Sequence, residues 1–286
     1  MKSIKSKIKS WWTKKPMTYS LTHGSSTFST KSTKFGSRNF FDASDARFIE
    51  WNKPLHLEKP FSKIFNYKKF REKKILEIGC GIGLMSMLWA KNGSNLTAID
   101  LNPQSISLTK KRFRNNKLKG KISLGDANKL KFINESFDYV YSWGVLHHSP
   151  DFEKSVSEMM RVTKAGGGFG VMVYNRNSVL FNYMIKYREG FLHLENKFNS
   201  KLSLASKFTD GAKEGGNPFT WPLTKKELIK IFQPFSNNFQ IKILGTDLDA
   251  TLPQLFPYVG RYMPLFLKKS LARRFGWSIW ISGEKN

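Results

Sequence analysis

One stretch of the chain, residues 75–100, constrains the fold more than any other. An apolar run at 75–78 is followed by a glycine-rich turn, Gly79-Cys80-Gly81-Ile82-Gly83, and then by a segment of one helix's length. A second apolar run, 96–100, ends in the carboxylate of Asp100. A buried strand, a glycine turn, a helix and a second buried strand are typical of an open parallel sheet that binds the adenosine part of a cofactor.

The alternation of strands and helices continues as far as residue 174. Further strands are predicted at 121–124, 137–142 and 169–174, and helices at 84–92, 103–116 and 151–163. The pattern then breaks and returns with a helix at 224–232 and strands at 239–245 and 276–282. These lengths predict an α/β fold, a Rossmann-like, doubly wound, seven-stranded sheet with an N-terminal helical cover and lid insertions.

The glycine spacing argues against a dinucleotide cofactor. A dinucleotide turn has the pattern Gly-x-Gly-x-x-Gly, whose last position here is Leu84, while the third glycine comes one residue early at Gly83. Glu77 also precedes the turn. A carboxylate there repels a pyrophosphate but can face an ammonium or sulfonium group.

Several motifs in order carry a resemblance to a known family. They are Leu76–Gly83, Ala98–Leu101, Gly125–Ala127, Phe137–Asp151 and Arg161–Gly167. In these motifs the chain resembles the class I S-adenosylmethionine-dependent methyltransferases, particularly the type 11 small-molecule group. The resemblance implies a Rossmann-like fold, S-adenosylmethionine as cofactor and methyl transfer as the activity.

The resemblance also implies roles for individual residues. Asp100 would accept hydrogen bonds from both ribose hydroxyls, Asp126 would accept from the adenine amino group, and the Ala127 N–H would meet a ring nitrogen. Gly79 and Gly81 would let the backbone approach the cofactor where a Cβ would collide. The full predicted cofactor-binding set is Glu77, Gly79, Gly81, Gly83, Asp100, Leu101, Asp126, Ala127, Ser142 and Trp143.

The adjacent histidines His147 and His148 are the candidate catalytic residues. In methyltransferases of this kind a histidine pair after the fourth strand faces the methyl-transfer centre, where one imidazole could take a proton from a substrate hydroxyl. The alternative is structural: one ring packs under the cofactor and the other caps the helix that begins at Asp151. Because methyl transfer is an in-line displacement, positioning can also supply most of the acceleration without a base.

No metal site is expected from the sequence. His23 and His56 are isolated, and Cys80 is the single cysteine, so no metal-ligand spacing and no internal disulfide can be identified. The low cysteine content is typical of a reducing compartment, and we expect a cytoplasmic protein. No run approaches 18 apolar residues, so no membrane-spanning helix is expected.

The formal charge of +27 raises the question of partners. Basic surfaces attract nucleic acids, anionic membranes and acidic small molecules alike. Lysine is spread along the whole chain together with many Asn, Ile, Phe and Ser residues, which also fits a compositional bias. We therefore expect no nucleic-acid partner, and the basic aromatic ends of the chain are candidates for peripheral membrane contact. The sequence gives no indication of oligomeric state.

Five segments are expected along the chain. They are a basic tail (1–41), an N-terminal helical cover (42–74), the cofactor-binding core (75–174), a lid insertion (175–222) and the C-terminal part of the sheet (223–286), with a further insertion at 246–275. The tail contains no acidic residue, and its Ile4, Ile8, Trp11 and Trp12 share one helical face. It is either a basic helix lying on an anionic membrane or a solvated, unstructured segment.

The sequence-based conclusion is a methyltransferase that acts on a small-molecule acceptor, with a hydroxyl group of a sugar, polyketide or similar metabolite as the expected target. The basic aromatic ends favour, as an alternative, a lipid or quinone methyltransferase at a membrane surface. A non-catalytic module that retains the cofactor pocket is an alternative of another class, and an RNA methyltransferase rests on charge alone.

Overall fold

The computed structural model describes residues 3–17, 34–211, 215–245, 252 and 257–286. Its centre is a seven-stranded sheet with the order β3-β2-β1-β4-β5-β7-β6. Strands β1 to β5 are parallel, and β7 runs antiparallel to both β5 and β6. The strands are β1 Lys74–Ile78, β2 Asn95–Asp100, β3 Lys121–Leu124, β4 Phe137–Trp143, β5 Thr163–Tyr174, β6 Asn238–Leu244 and β7 Ser278–Glu284.

Helices cover both faces of this sheet, as in other doubly wound folds. The α-helices are α1 Ile4–Lys14, α2 Arg38–Trp51, α3 Leu84–Lys91, α4 Pro103–Asn115, α5 Phe152–Val162, α6 Lys201–Phe208, α7 Lys225–Phe232, α8 Pro257–Tyr262 and α9 Leu265–Phe275. A π-helix spans Leu180–Leu192. The predicted fold class, a seven-stranded doubly wound sheet with flanking helices, is confirmed.

Each face of the sheet has its own core. One core is strongly aromatic and brings Phe65, Trp89 and Trp280 against the sheet. The other is mainly aliphatic, with Val140, Met159 and other side chains buried between the sheet and the helices α5 and α7. The central strands β1 and β4 are buried on both faces, which explains their nearly continuous apolar sequences.

Local capping signals fix several helix ends as the sequence predicts. Helix α7 begins after Thr224, whose side chain and that of Glu227 form a reciprocal capping box. Helix α4 begins at Pro103 after Asn102, whose side chain accepts a hydrogen bond from the Gln104 N–H. These ends position the loops that follow β2 and precede the C-terminal strands.

Three predicted boundaries are wrong. Strand β5 begins at Thr163 rather than 169, so the run Gly166–Gly168 lies within the strand instead of forming a turn between helix and strand. Strand β7 begins at Ser278 rather than 276. Helix α2 begins at Arg38, so the helical cover starts inside the segment predicted as a tail. The glycine run does not mark the boundary here, because Gly168 lies within the strand, where a Cβ would collide with the Tyr139 ring.

Residues 4–14 form a helix that packs on the rest of the molecule. Of the apolar face predicted for this segment, Ile8 is 5% exposed, whereas Ile4 is 40% exposed. The side-chain amide of Asn102 donates a hydrogen bond to the carbonyl oxygen of Trp12 (2.6 Å) and ties the end of α1 to the start of α4. The face that a membrane-bound helix would turn to lipid is thus partly used inside the protein.

The two predicted insertions take different forms. Residues 175–222 contain the π-helix and α6, which pack on each other through Phe181, Ile185 and Leu204. Residues 246–251 and 253–256 of the second insertion lie outside the described residues. Helices α8 and α9 follow, and α9 buries none of its side chains completely. No helix in the described part of the chain is both long and apolar enough to cross a bilayer.

Candidate active site

Two of the three glycines in the turn after β1, Gly79 and Gly81, have different surroundings. Gly79 (φ +84°) and Gly81 (φ +53°) both have left-handed backbone conformations. A Cβ on Gly79 would collide with the side chain of Val145, whereas one on Gly81 would meet no protein atom within 4 Å. The expectation that both glycines make room for a cofactor therefore fits Gly81; at Gly79 the close neighbour is the protein itself.

Asp100 lies at the end of β2 and is fixed by the turn opposite it. Its Oδ2 accepts a hydrogen bond from the Gly81 N–H (2.9 Å) and its Oδ1 from the Asn102 N–H (2.9 Å). Each carboxylate oxygen keeps a second lone pair for a further donor. Burial raises the pKa of Asp100 to about 6, although the backbone N–H groups around it act to lower it.

Glu77 lies under the turn and is 2% exposed. It accepts a short hydrogen bond from the hydroxyl of Ser86, which lies on α3. Burial raises the pKa of Glu77 to about 7, against the lowering effect of the Ser86 bond. A buried carboxylate of this kind is stabilised in its ionised form when a cation binds beside it.

Asp126, which follows β3, is partly covered by the N-terminal helix. Its Oδ1 accepts from the Asn128 N–H (3.0 Å), and its Oδ2 forms an ion pair with Lys5 of α1. The Trp12 ring of the same helix lies 5.1 Å, centroid to centroid, from the His148 ring. Helix α1 therefore spans the opening from the predicted adenine end to the predicted methyl-transfer end.

A single cavity of about 490 Å³ connects these groups. A volume of this size lies within the usual range of small-molecule sites. Of the residues predicted to bind the cofactor, nine line the cavity: Glu77, Gly79, Gly81, Gly83, Asp100, Leu101, Asp126, Ala127 and Trp143. Ser142 is not among its lining residues, because its hydroxyl is buried and donates to the Ile78 carbonyl oxygen (2.9 Å).

Away from the glycine turn the cavity is lined mainly by apolar side chains, and this part is called the chamber. Its walls come from β5, from the π-helix, from α6 and from the segment before β7, and include Met172, Leu180, Met184, Phe208 and Trp277. Two of these elements belong to the segment 175–222, which was predicted to form a lid. The chamber therefore offers an acceptor mainly apolar contacts.

Polar groups gather at the end of this chamber. The Nε2 atom of His148 lies 3.1 Å from Oδ2 of Asp210, and the same oxygen accepts a hydrogen bond from the Tyr174 hydroxyl (2.7 Å). On the other side of the ring, Nδ1 lies 2.9 Å from the Phe219 carbonyl oxygen and 3.1 Å from the Thr220 hydroxyl. His148, Tyr174 and Asp210 all line the cavity.

The two candidate histidines differ in position. His147 is completely buried, is not among the cavity-lining residues, and packs against the Tyr174 ring with a centroid distance of 4.0 Å and a tilt of 45°. Burial, with the neighbouring His148, lowers the pKa of His147 well below its ordinary value. Of the pair, His148 is the one placed to meet an acceptor, while a base role for either residue stays a prediction.

Comparison with known proteins supports the predicted family. Residues 76–171 match the model of a family described as a type 11 methyltransferase domain. The chain therefore contains a class I S-adenosylmethionine-dependent methyltransferase domain of type 11, which spans about a third of its length. A ubiquinone biosynthesis O-methyltransferase of Coxiella burnetii is 28% identical over 176 residues, which are 58% of this chain and 75% of the relative.

Further relatives extend the comparison. A phthiotriol/phenolphthiotriol dimycocerosates methyltransferase of Mycobacterium leprae is 39% identical over 98 residues, or 33% of this chain and 35% of that protein. Among solved structures, a methyltransferase of Methanosarcina mazei has a TM-score of 0.52 at 21% identity and covers 76% of this chain and 95% of its own. At that identity the structural likeness shows the shared fold.

The methyltransferase's own residues fit S-adenosylmethionine. The open side of Gly81, the remaining lone pairs of Asp100 and the buried carboxylate of Glu77 all face one cavity. A buried carboxylate whose ionised form needs a cationic neighbour matches a cofactor that carries a sulfonium and an ammonium group. This arrangement agrees with the inference from the early third glycine of the turn, which argues against a dinucleotide cofactor.

Sequence reasoning missed several residues of the methyltransferase's site. Asp210 lies in a stretch with turn-forming residues, Thr209-Asp210-Gly211, and nothing in its spacing connects it with His148. Lys5 and Trp12 were assigned to a tail. Asn102 was not singled out, although an Asn followed by Pro103 is a usual helix start and pointed to a fixed side chain there.

Proposed function

We propose that this methyltransferase transfers the methyl group of S-adenosylmethionine to a hydroxyl of a small, largely apolar molecule. The observation that carries the proposal is the continuous cavity, in which the predicted cofactor residues lead into an apolar chamber that ends at His148, Asp210 and Tyr174. An acceptor would bury its apolar part in the chamber and place its hydroxyl against these polar groups.

The reaction needs little covalent chemistry from the protein. The acceptor oxygen attacks the methyl carbon in line with the departing sulfur, so an O–CH₃ bond forms as the S–CH₃ bond breaks. S-adenosylhomocysteine leaves, and the hydroxyl proton passes to solvent. Holding oxygen, carbon and sulfur in line supplies most of the acceleration. The chamber walls and the polar cluster are the groups that would hold the acceptor.

The name of one relative supports a hydroxyl acceptor, and the name of a second supports an acceptor of low polarity. The C. burnetii relative is an O-methyltransferase of ubiquinone biosynthesis, and the M. leprae relative is named for phthiotriol and phenolphthiotriol dimycocerosates. The apolar chamber is consistent with acceptors of similar polarity. A sugar, with a hydroxyl on nearly every carbon, would leave most of its polar groups without partners against Met172, Met184 and Phe208.

A labelled-methyl assay tests the proposal. Full-length protein is incubated with methyl-labelled S-adenosylmethionine and matched pairs of apolar acceptors that differ only in a hydroxyl or an amine at one position. We expect label in the hydroxyl compounds and none after Asp100→Ala, while Glu153→Gln, an exposed carboxylate on α5, behaves like wild type. Label confined to the amine compounds would contradict the hydroxyl assignment.

One surface observation favours a second candidate, in which the acceptor is a membrane-associated lipid or quinone. On α9 the side chains of Leu265, Phe266 and Leu267 are 62%, 69% and 43% exposed. The same helix carries four basic residues, Lys268, Lys269, Arg273 and Arg274. Exposed apolar groups beside a basic cluster are typical of helices that lie on anionic membranes.

Vesicle sedimentation tests this second candidate. The full chain should sediment with vesicles that contain anionic lipid and less with neutral vesicles. The double variant Leu265→Glu/Phe266→Glu should lose most of this binding, whereas the matched variant Tyr187→Glu/Phe191→Glu, which alters exposed rings on the π-helix, should keep it. Equal sedimentation of both variants would remove α9 from the proposal.

A further inference from the structure

His147, His148 and Asp210 form a compact cluster at the polar end of the chamber. One ring nitrogen of each histidine and a carboxylate oxygen of Asp210 all lie within 4.8 Å of one another. The exposed fractions of the three residues are 0%, 6% and 6%. The histidines follow β4 and Asp210 follows α6, so the fold brings them together over more than 60 residues of sequence.

His147 is the first indication of a missing ligand. Both of its ring nitrogens are buried and neither has a hydrogen-bond partner among the described residues. Leaving a buried polar group unpaired costs roughly 1–3 kcal/mol. A ring that served only to pack on Tyr174 would not need nitrogen atoms there, so the unpaired nitrogens call for a partner that the protein does not supply.

His148 is the second indication. Its Nδ1 lies 2.9 Å from the Phe219 carbonyl oxygen, which can only accept, so Nδ1 carries the proton. In the neutral ring Nε2 is then a bare lone pair, and it lies 3.1 Å from the Asp210 carboxylate. Although the two atoms are close, Nε2 has no aligned hydrogen bond. Nε2 of His148 and the carboxylate oxygen of Asp210 are thus both hydrogen-bond acceptors, and a cation between them would stabilise their close approach.

The geometry around the two ligands resembles that of a metal site. Two ligands bonded to zinc at about 2.0–2.1 Å in a tetrahedral arrangement lie roughly 3.3 Å apart. Histidine ligands usually donate their other N–H to a backbone carbonyl, as His148 does to Phe219, and ligating carboxylates are themselves hydrogen-bonded, as Asp210 is by Tyr174. The third ligand, His147, lies within 4.8 Å of the other two and would move inward to complete the set.

We propose that His147, His148 and Asp210 bind a divalent transition-metal ion, of which zinc is the representative, at the acceptor end of the cavity. Two imidazoles and one carboxylate suit such ions and disfavour Mg²⁺ and Ca²⁺, which prefer oxygen ligands. His148 and Asp210 line the cavity, so an open coordination position would face the chamber. If the proposed O-methylation holds, a hydroxyl bound there loses its proton more readily.

Calorimetric titration of ZnCl₂ into untagged, chelator-stripped full-length protein, without cofactor or acceptor, tests the proposal. We expect one bound equivalent, and at least a tenfold weaker affinity in Asp210→Asn and in His147→Ala. The matched variant His193→Ala, which alters an exposed histidine, should bind as wild type does. No binding by wild type, or unchanged binding in both ligand variants, would overturn the proposal. MgCl₂ should give no comparable heat.

A spectroscopic measurement covers the case in which a buried variant fails to fold. Wild-type protein loaded with Co²⁺ should show the intense visible bands of a four-coordinate site with nitrogen and oxygen ligands, and weak six-coordinate bands would overturn the assignment. Metal binding is measured here without any methyl transfer. A protein that binds metal but methylates no hydroxyl would contradict the proposed function alone, and one that methylates but binds no metal would contradict this inference alone.

Discussion

Gly79 and Gly81 have the same backbone requirement but different consequences for function. Both have positive φ, yet only Gly79 has a protein side chain, that of Val145, where a Cβ would be. We expect Gly79→Ala to lower the free energy of unfolding by about 2 kcal/mol or more, because the strained backbone and the clash add. Chemical denaturation measures this directly.

Gly81→Ala should lower stability only slightly but should weaken cofactor binding. Its Cβ would project into open space at the cavity, so the loss of stability is limited to the backbone strain, about 1 kcal/mol. Its affinity for S-adenosylmethionine should fall at least tenfold. If Gly81→Ala bound the cofactor as tightly as wild type, the turn would not approach the cofactor at this residue.

Glu77 makes stability depend on pH. Its pKa is about 7 in the folded protein against an ordinary value of 4.5, so the folded state binds more protons between these values. Stability contributed by this residue is therefore greatest below pH 4.5 and falls as the pH rises to about 7. The largest loss is about 3 kcal/mol, since each pH unit corresponds to about 1.4 kcal/mol.

Glu77→Gln separates this effect from the other titrations. Glutamine keeps an acceptor for Ser86 but cannot ionise. In the protein without cofactor, the variant should gain about 1–3 kcal/mol in stability relative to wild type on going from pH 5 to pH 8, measured by denaturant unfolding. A difference between the two proteins that stays constant with pH would show that Glu77 is not the titrating group.

Among the secondary-structure elements, helix α1 is the one whose packing position the sequence predicted least well. Its lysine and tryptophan pattern predicted a membrane helix or a tail, whereas the structure packs it over the cavity through Lys5, Ile8 and Trp12. The interacting partners, Asp126 and Asn102, lie about a hundred residues away, and no local periodicity reports such a contact. The central strands were easier to predict, because strands that are buried on both faces have nearly continuous apolar sequences.

The Lys5–Asp126 ion pair leads to a test of α1. If the adenine amino group also binds Asp126, Lys5 competes with it for the carboxylate. Lys5→Gln should therefore bind S-adenosylmethionine up to about fivefold more tightly, since a partly exposed ion pair contributes at most about 1 kcal/mol. Lys7→Gln, which changes an exposed lysine of the same helix outside the cavity lining, should leave the affinity unchanged. Weaker binding by Lys5→Gln would indicate that Lys5 holds the cofactor instead.

Across the whole molecule, the sequence predicted as a group nine residues that the fold brings to one cavity, whereas no motif predicted the chamber around His148 and Asp210. Residues 76–127 contain the glycine turn, Asp100 and Asp126 in short local motifs. These motifs lie at the ends of the strands β1, β2 and β3. The chamber is assembled from β5, the π-helix and the loop of Asp210, which follow no periodic pattern. Contacts between such distant and irregular segments depend on tertiary packing, so the His148–Asp210 pair became visible only in the folded protein.

The central claim is that one cavity binds S-adenosylmethionine through Asp100, and calorimetric titration of the full chain with this cofactor tests it most directly. The account predicts one binding site, an affinity that falls as the pH drops through about 6 and Asp100 gains a proton, and at least a tenfold loss in Asp100→Ala with no change in Glu153→Gln. No binding by wild type, or equal binding by Asp100→Ala, would contradict it.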